Sequence, residues 1–253
     1  MKDCNKRGQL TLWVIIALAL AGSMILFFTL SKNPEVFKGK EINPEQFISS
    51  CVKRITENAL DKMLPQGGFV EPKNYVLYKG GRVVYMCENL GSFRPCVNQH
   101  PMLLTEMKNE LERETSSDIG NCFAELANEV EKEDTRVSIG AQSLDFVFGP
   151  DKVEVNIDRE VTITKQGTAR IFDKFKVEII NPAYDLARIT QEITSQEAKF
   201  CYFEYVGYMI LYPEFDIRKN TLSDSTKIYS IEDKESGKVW NLAVRSCAIP
   251  GGL

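Results

Sequence analysis

Residues that carry catalytic chemistry are scarce in this sequence, which has one histidine, His100, among 253 residues. A Ser-His-Asp or Cys-His site would have to use His100, and it stands directly before Pro101, where a helix cap or a surface position is expected. The G-x-G-x-x-G, G-x-x-x-x-G-K-[ST], H-E-x-x-H and G-x-S-x-G motifs are absent. Those absences remove the usual signatures of dinucleotide-binding, P-loop, metalloprotease and α/β-hydrolase enzymes. We therefore predict that the protein is not an enzyme and uses no cofactor.

An excess of positive charge is also missing. The chain has 31 Lys and Arg residues against 35 Asp and Glu residues, a formal net charge of -4. Because nucleic acid is bound through clustered basic side chains that neutralise phosphates, this balance predicts no nucleic-acid partner.

A carboxylate pair for glycoside hydrolysis must be held across a cleft. We expect the densest acidic group to be solvated instead; it contains Glu129, Glu131, Glu133 and Asp134.

One long apolar run is present, and no second run of that length follows it. Leu10 to Leu30 contains 21 residues without a charge, and at about 1.5 Å per residue a helix of that length crosses the roughly 30 Å of a bilayer's hydrocarbon core. The alternative is a cleaved secretory signal, whose apolar region is usually about 7–15 residues long. Lys2, Lys6 and Arg7 precede the run, which favours a cytoplasmic N-terminus and an extracytoplasmic C-terminal domain.

The residues before the apolar run resemble a known processing signal. Lys6-Arg7-Gly8-Gln9, followed at once by apolar residues, is similar to the class III signal of archaeal type IV pilin-like proteins, although Trp13 stands where pilins commonly have an acidic residue. The resemblance implies cleavage between Gly8 and Gln9, a membrane anchor or filament core, and a cell-surface location. A basic flank of a plain membrane helix remains the alternative. Gln66-Gly67-Gly68-Phe69 and the cysteine-bearing helices also resemble uncharacterised secreted or membrane proteins of small-genome archaea.

Seven cysteines occur, of which Cys4 precedes the apolar run and six follow it. An even number on the non-cytoplasmic side favours disulfides. We expect Cys87 to pair with Cys96, because a Gly- and Pro-containing loop joins them, and the other favoured pairs are Cys51–Cys122 and Cys201–Cys247. Six buried free thiols are one alternative. A zinc site with Cys87, Cys96 and His100 is another, although it lacks the closely spaced cysteine pair of common structural zinc sites.

The remaining pattern predicts one α+β domain, with helices packed on antiparallel sheet. Asn43-Pro44 and Asn181-Pro182 are typical helix starts. A second helix is expected to begin near Pro101 with a break at residues 116–118, and Gly80-Gly81 indicates a hairpin. Residues 136–180 alternate as a meander, and a last hairpin joins residues 227–231 to 239–244. The predicted organisation is a tail or leader over 1–9, a membrane helix over 10–30, a linker over 31–43 and the extracytoplasmic domain over 44–253.

An aromatic segment offers the best candidate for a binding surface, although such a segment can equally belong to the core. Its aromatic residues are Phe200, Tyr202, Phe203, Tyr205, Tyr208 and Tyr212.

Together these observations predict a single-pass membrane protein of the cell envelope, with a structural or interaction role and a protein partner or self-association. An envelope enzyme or accessory subunit with an unrecognised site is the alternative.

Overall fold

The computed structural model describes residues 42–131 and 135–248. The predicted leader, the apolar run 10–30 and nearly all of the linker lie outside these ranges. Within them, no helix is both long and apolar enough to cross a membrane.

The helices are α1 (Pro44–Met63), α2 (Leu103–Val130), α3 (Ala183–Phe200) and α4 (Tyr205–Leu211), with a 3-10 turn at Leu64–Gln66. The strands are β1 (Tyr75–Tyr78), β2 (Gly81–Glu88), β3 (Val97–Asn98), β4 (Thr135–Ile139), β5 (Ser143–Gly149), β6 (Lys152–Lys165), β7 (Thr168–Ile180), β8 (Phe215–Thr221), β9 (Lys227–Asp233) and β10 (Val239–Arg245).

Helix α1 begins and ends where local chemistry requires it. The Asn43 side chain accepts hydrogen bonds from the backbone N–H groups of Glu45 and Gln46 at 3.0 and 3.3 Å, and Pro44 occupies the first turn. These contacts satisfy donors that have no partner inside the helix. After the 3-10 turn, Gly68 adopts a φ of +92° against the Trp240 ring and Met107. The predicted start and end of this helix are confirmed.

Helix α2 is continuous, so the predicted break at residues 116–118 is wrong. Thr115, Ile119 and Cys122 carry the buried face straight through that stretch. The Gln142 side chain donates a 3.0 Å hydrogen bond to the Ser116 carbonyl oxygen from outside the helix. Tertiary packing therefore outweighs the weak helix preference of the two serines and the aspartate.

The first sheet contains both strand directions, which corrects the prediction of a purely antiparallel sheet. Its order is β1-β2-β10-β9-β8, with β3 also paired to β2. The hairpins β1–β2 and β9–β10 are antiparallel, as predicted, but β10 lies between β9 and β2 and runs parallel to β2. The first hairpin turns through Lys79 and Gly80, one residue earlier than predicted, and both have positive φ. Strand β8 was not predicted.

The second sheet is built on the long strand β6. Strand β7 pairs with one edge of β6, and β5 and β4 pair with successive parts of its other edge. Residues 153–157 and 161–164 were predicted as separate strands, but they are one strand with a register irregularity between Asp158 and Val161. At that irregularity Arg159 donates to the Gly140 carbonyl oxygen and to the Gln142 side chain. The antiparallel pairing is confirmed.

The helices fill the core against both sheets. Helix α1 packs on α2 and β7, α2 on β4 and β5, and α3 on strands of both sheets. The domain is therefore α+β, as predicted. The largest fully buried side chains include Trp240, Tyr229, Phe123 and Phe203.

Candidate partner-binding surface

Three disulfides brace the described domain, and they are the three pairs favoured from the sequence. The Cα atoms are 6.1 Å apart in Cys51–Cys122, 5.3 Å in Cys87–Cys96 and 5.7 Å in Cys201–Cys247. The free-thiol alternative is therefore wrong. The zinc alternative fails as well, because the Cys87 and Cys96 sulfurs are bonded to each other and cannot act as thiolate ligands. The predicted processing residues, Gly8 and Gln9, lie outside the described ranges.

His100 has a structural environment. Its Nδ1 lies 2.5 Å from Oε2 of Glu106, and its ring packs on Phe69 with the centroids 4.8 Å apart. Because α2 has its cap at Met102, the expectation of a helix cap at His100 is wrong. The partners of His100 hold the start of α2 against the loop that follows α1.

The predicted acidic group is solvated where the structure describes it. Glu129 and Glu131 lie exposed at the end of α2. Glu133 and Asp134 lie outside the described ranges. No cleft-bound carboxylate pair forms at the described positions.

A buried polar network fixes the point where the aromatic segment leaves α3. The Glu197 carboxylate is fully buried and accepts hydrogen bonds from Lys227 Nζ at 2.6 Å and from the Tyr229 hydroxyl at 2.5 Å. Lys227 Nζ also donates to the Cys201 carbonyl oxygen at 2.5 Å. Cys201 itself has a φ of +57° and is tied by its disulfide to Cys247. The chain therefore leaves α3 in one fixed direction.

The aromatic segment divides into one core residue and a set of exposed or half-buried ones. Phe203 is buried, with its ring centroid 6.1 Å from that of Tyr229. Helix α4, in contrast, contains no buried residue. Its apolar side chains Val206, Ile210 and Leu211 are 51%, 76% and 75% exposed. We call these three residues, with the exposed Tyr202 and Tyr212, the α4 surface.

Aliphatic residues of the α4 surface were missed by reasoning from the sequence, which weighed only the aromatic residues. The run from Val206 to Tyr212 has no charged side chain. That feature could have marked the helix as an apolar surface or a core element. Only the exposure of α4 in the folded protein distinguishes an apolar surface from a core element.

Contacts on the other side of α4 hold it against the domain. Met209 Sδ accepts a 3.0 Å contact from the backbone N–H of Ile217, so the helix covers part of the edge strand β8. Glu204 caps the helix by accepting from the Gly207 N–H at 3.4 Å. The Tyr202 hydroxyl donates to Glu204 at 2.6 Å. This hydrogen bond raises the pKa of Tyr202, and together with the Gly207 N–H it lowers the pKa of Glu204.

A pocket of about 260 Å³ opens beside the C-terminal end of α4. Its aromatic wall is formed by Tyr208 and Tyr212, whose ring centroids lie 4.6 Å apart. Burial raises the pKa of Tyr208, and the neighbouring Tyr212, Glu192 and Glu214 raise it further. We call this cavity the acidic pocket, because five carboxylates and one guanidinium line it: Asp151, Asp185, Glu214, Asp233 and Glu235 with Arg188.

The carboxylates of the acidic pocket are largely without cationic partners. Arg188 lies 4.0 Å from Asp185, and within residues 42–131 and 135–248 this is the single ion pair that involves a pocket carboxylate. Asp233 is only 9% exposed, and its Oδ1 accepts from the N–H and hydroxyl of Ser236. In the described ranges, no three or more His, Cys, Asp or Glu side chains are arranged to hold a metal ion.

No protein-family model, no curated protein and no solved structure matches this chain. The geometry alone therefore indicates what the surface can do. An exposed apolar helix can lose water-accessible area against a partner, and the adjoining negative pocket favours a cation there.

Proposed function

We propose that this is a membrane-anchored protein of the cell envelope that acts by binding, either as a pilin-like subunit or as a solitary surface module. Its partner is a protein or another copy of the chain, and the α4 surface is the docking face. The observation that carries the proposal is the exposure of Val206, Ile210 and Leu211 on a helix without a buried residue. Apolar residues clustered on an otherwise folded surface are typical of interaction sites.

The disulfides support the extracytoplasmic part of the proposal. Structural disulfides form and persist in oxidising compartments, whereas cytosolic thiols are kept reduced in most organisms. All six cysteines after residue 31 are paired. The apolar run at residues 10–30 and the basic residues before it support an anchor of the predicted orientation.

The intact mass of the membrane-extracted protein, alkylated with and without prior reduction, tests processing and compartment together. The proposal expects six alkylatable thiols that appear only after reduction, and processing expects the loss of Met1 to Gly8. A full-length chain whose thiols alkylate without reduction would place the domain in the cytoplasm and contradict the proposed location.

A photo-cross-linking residue placed at Ile210 tests the docking face in intact cells. The same group at Glu125, an exposed position on α2, is the matched control. We expect a specific adduct from position 210 and none from position 125. Equal labelling from both positions, or none from either, would contradict docking on α4.

A charge at Leu211, introduced into the chain that carries the cross-linking residue at position 210, should remove the adduct without unfolding the domain. Because the Leu211 side chain is 75% exposed, Leu211→Glu is expected to change the free energy of unfolding by no more than about 0.5 kcal/mol. Phe203→Ala, which empties a core position two residues before α4, is expected to cost about 3–5 kcal/mol. The pair of variants separates the surface role from the core role within one segment.

A further inference from the structure

The Cys201–Cys247 disulfide differs from the other two disulfides in the backbone that carries it. Cys201 has a φ of +57° and Cys247 has a φ of +47°, whereas the other four disulfide cysteines have no positive φ. The left-handed region is unfavourable for any residue with a Cβ. Both ends of this bond are therefore held in a conformation that the surrounding structure must maintain. Backbone strain of this kind clusters at functional sites.

Solvent access separates the same disulfide from the other two. Cys201 and Cys247 are both half-buried. In contrast, Cys87 and Cys96 are 0% and 5% exposed, and Cys122, the partner of the half-buried Cys51, is 1% exposed. A thiolate opens a disulfide by direct attack on one sulfur while the other sulfur leaves, so the rate depends on access. Of the three bonds, Cys201–Cys247 alone has both ends open to solvent.

Cationic residues without carboxylate partners lie next to each end of the bond. The Cys247 N–H donates to the Arg94 carbonyl oxygen at 2.7 Å, and Lys199 stands two residues before Cys201. Within residues 42–131 and 135–248, neither Arg94 nor Lys199 forms an ion pair. Neighbouring positive charge favours a thiolate over a thiol. The attacking and the leaving sulfur are both thiolates, so this setting favours exchange.

Other contacts hold the two cysteines in place when the bond is open. Lys227 Nζ donates to the Cys201 carbonyl oxygen at 2.5 Å. The hydroxyl of Ser246, which directly precedes Cys247, donates to the Glu197 carbonyl oxygen at 2.9 Å in the last turn of α3. Neither hydrogen bond involves sulfur. Reduction is therefore expected to stay local, and the two thiols are expected to remain close enough to form the bond again.

We infer that Cys201–Cys247 is a thiol–disulfide exchange site whose substrate is a dithiol, and that it opens while the other two disulfides stay closed. One thiolate of the dithiol attacks a sulfur of the pair, and the electron pair of the broken S–S bond leaves on the other cysteine, which takes up a proton. The second thiol of the dithiol then attacks the mixed disulfide and releases the first cysteine. The pair gains two electrons and two protons, and the dithiol becomes a disulfide.

The exchange site goes beyond the proposed binding function and does not depend on it. The bond opens directly before Tyr202, the first residue of the α4 surface. It also closes the 46-residue separation that contains α4. Reduction would therefore release the chain at the point where it enters the α4 surface, without removing any residue of that surface.

Titration of the purified full-length protein in detergent with dithiothreitol, a small dithiol, tests the inference. Each sample is quenched with acid, alkylated and mapped by peptide mass spectrometry. We expect Cys201 and Cys247 to become alkylated at a dithiothreitol concentration about tenfold or more below that needed for the other four cysteines. Alkylation of these two cysteines alone before any dithiol is added would support the same conclusion.

Three disulfides that open together, or another pair that opens first, would overturn the inference. The sharpest competitor is Cys51–Cys122, because the Arg54 guanidinium lies 3.8 Å from Cys51 Sγ. The double variant Cys201→Ser with Cys247→Ser is the matched control. At the low dithiothreitol concentration that opens one pair in the natural protein, this variant should show no alkylated cysteine after residue 31. Alkylation of the variant at that concentration would assign the labile bond to another pair.

Discussion

The hydroxyl of Tyr229 donates a 2.5 Å hydrogen bond to the fully buried carboxylate of Glu197. Burial, together with the hydrogen bond and the charge of Glu197, raises the pKa of Tyr229 well above its ordinary range, so the phenol remains a donor. Lys227 binds the other carboxylate oxygen at 2.6 Å. The hydrogen-bonded pair Tyr229 and Glu197 joins strand β9 to the last turn of α3, immediately before the segment that forms the α4 surface.

Loss of the Glu197 charge should destabilise the whole domain. Glu197→Gln leaves Lys227, which is only 17% exposed, without its ionic partner, and we expect a loss of about 3 kcal/mol in the free energy of unfolding, measured by urea titration. Glu192→Gln on the exposed face of the same helix should change it by about 0.5 kcal/mol or less. Similar losses for the two variants would show that the buried pair is not what stabilises this end of α3.

Gly68 should resist even an added methyl group. Its φ is +92°, and a Cβ there would lie 2.7 Å from the Trp240 ring and 3.0 Å from Met107 Cγ. Gly80 has a φ of +83° but no atom within 4 Å of its Cβ position. Gly80→Ala should therefore cost about 1–2 kcal/mol from the backbone alone, and Gly68→Ala measurably more because packing adds to that cost. Equal losses in thermal or urea unfolding would rule out the packing contribution.

Disulfide removal should scale with the length of chain that each bond closes. The Cys51–Cys122 bond spans 71 residues and the Cys87–Cys96 bond spans 9. The restriction of the unfolded chain predicts losses of about 4.4 and about 2.6 kcal/mol for the respective double alanine variants. Equilibrium unfolding of the two variants without reductant compares them directly. A larger loss for the short loop would show that native-state contacts, rather than loop closure, determine the order.

Acidification should weaken the cap of α4. Glu204 has a lowered pKa because it accepts from the Tyr202 hydroxyl and the Gly207 N–H. Because the pKa of Glu204 is lowered in the folded protein, its carboxylate stabilises the cap at pH values above the ordinary glutamate pKa of about 4.3. That stabilisation is lost as the pH falls through the lowered pKa. The amide proton of Gly207, followed by NMR, should therefore shift in that acidic window. Glu204→Gln should abolish the shift, and persistence of the shift in this variant would assign it to another group.

Much of the fold is predictable because its determinants are local. Asn43 followed by Pro44 caps α1 through contacts two and three residues away, and the Gly80 turn needs only its own backbone freedom. The disulfide pairs were also predictable, since helical spacing places Cys51 and Cys122 on apolar faces. The strand order of the first sheet was harder to predict. The parallel contact of β10 with β2 pairs Ala243 with Tyr85, 158 residues apart along the chain, and no local pattern encodes it.

The features of the candidate surface likewise fall into those predictable from the sequence and those that only the fold decides. By itself the sequence determined the apolar run at residues 10–30, the even number of cysteines after it, the helix starts and an aromatic segment at residues 200–212. Only the tertiary structure decided that Phe203 enters the core while Val206, Ile210 and Leu211 face outward, and that carboxylates from five separate positions meet in one pocket. The physical reason is that burial and charge density depend on which distant elements pack together, whereas capping, turns and periodicity depend on neighbours along the chain.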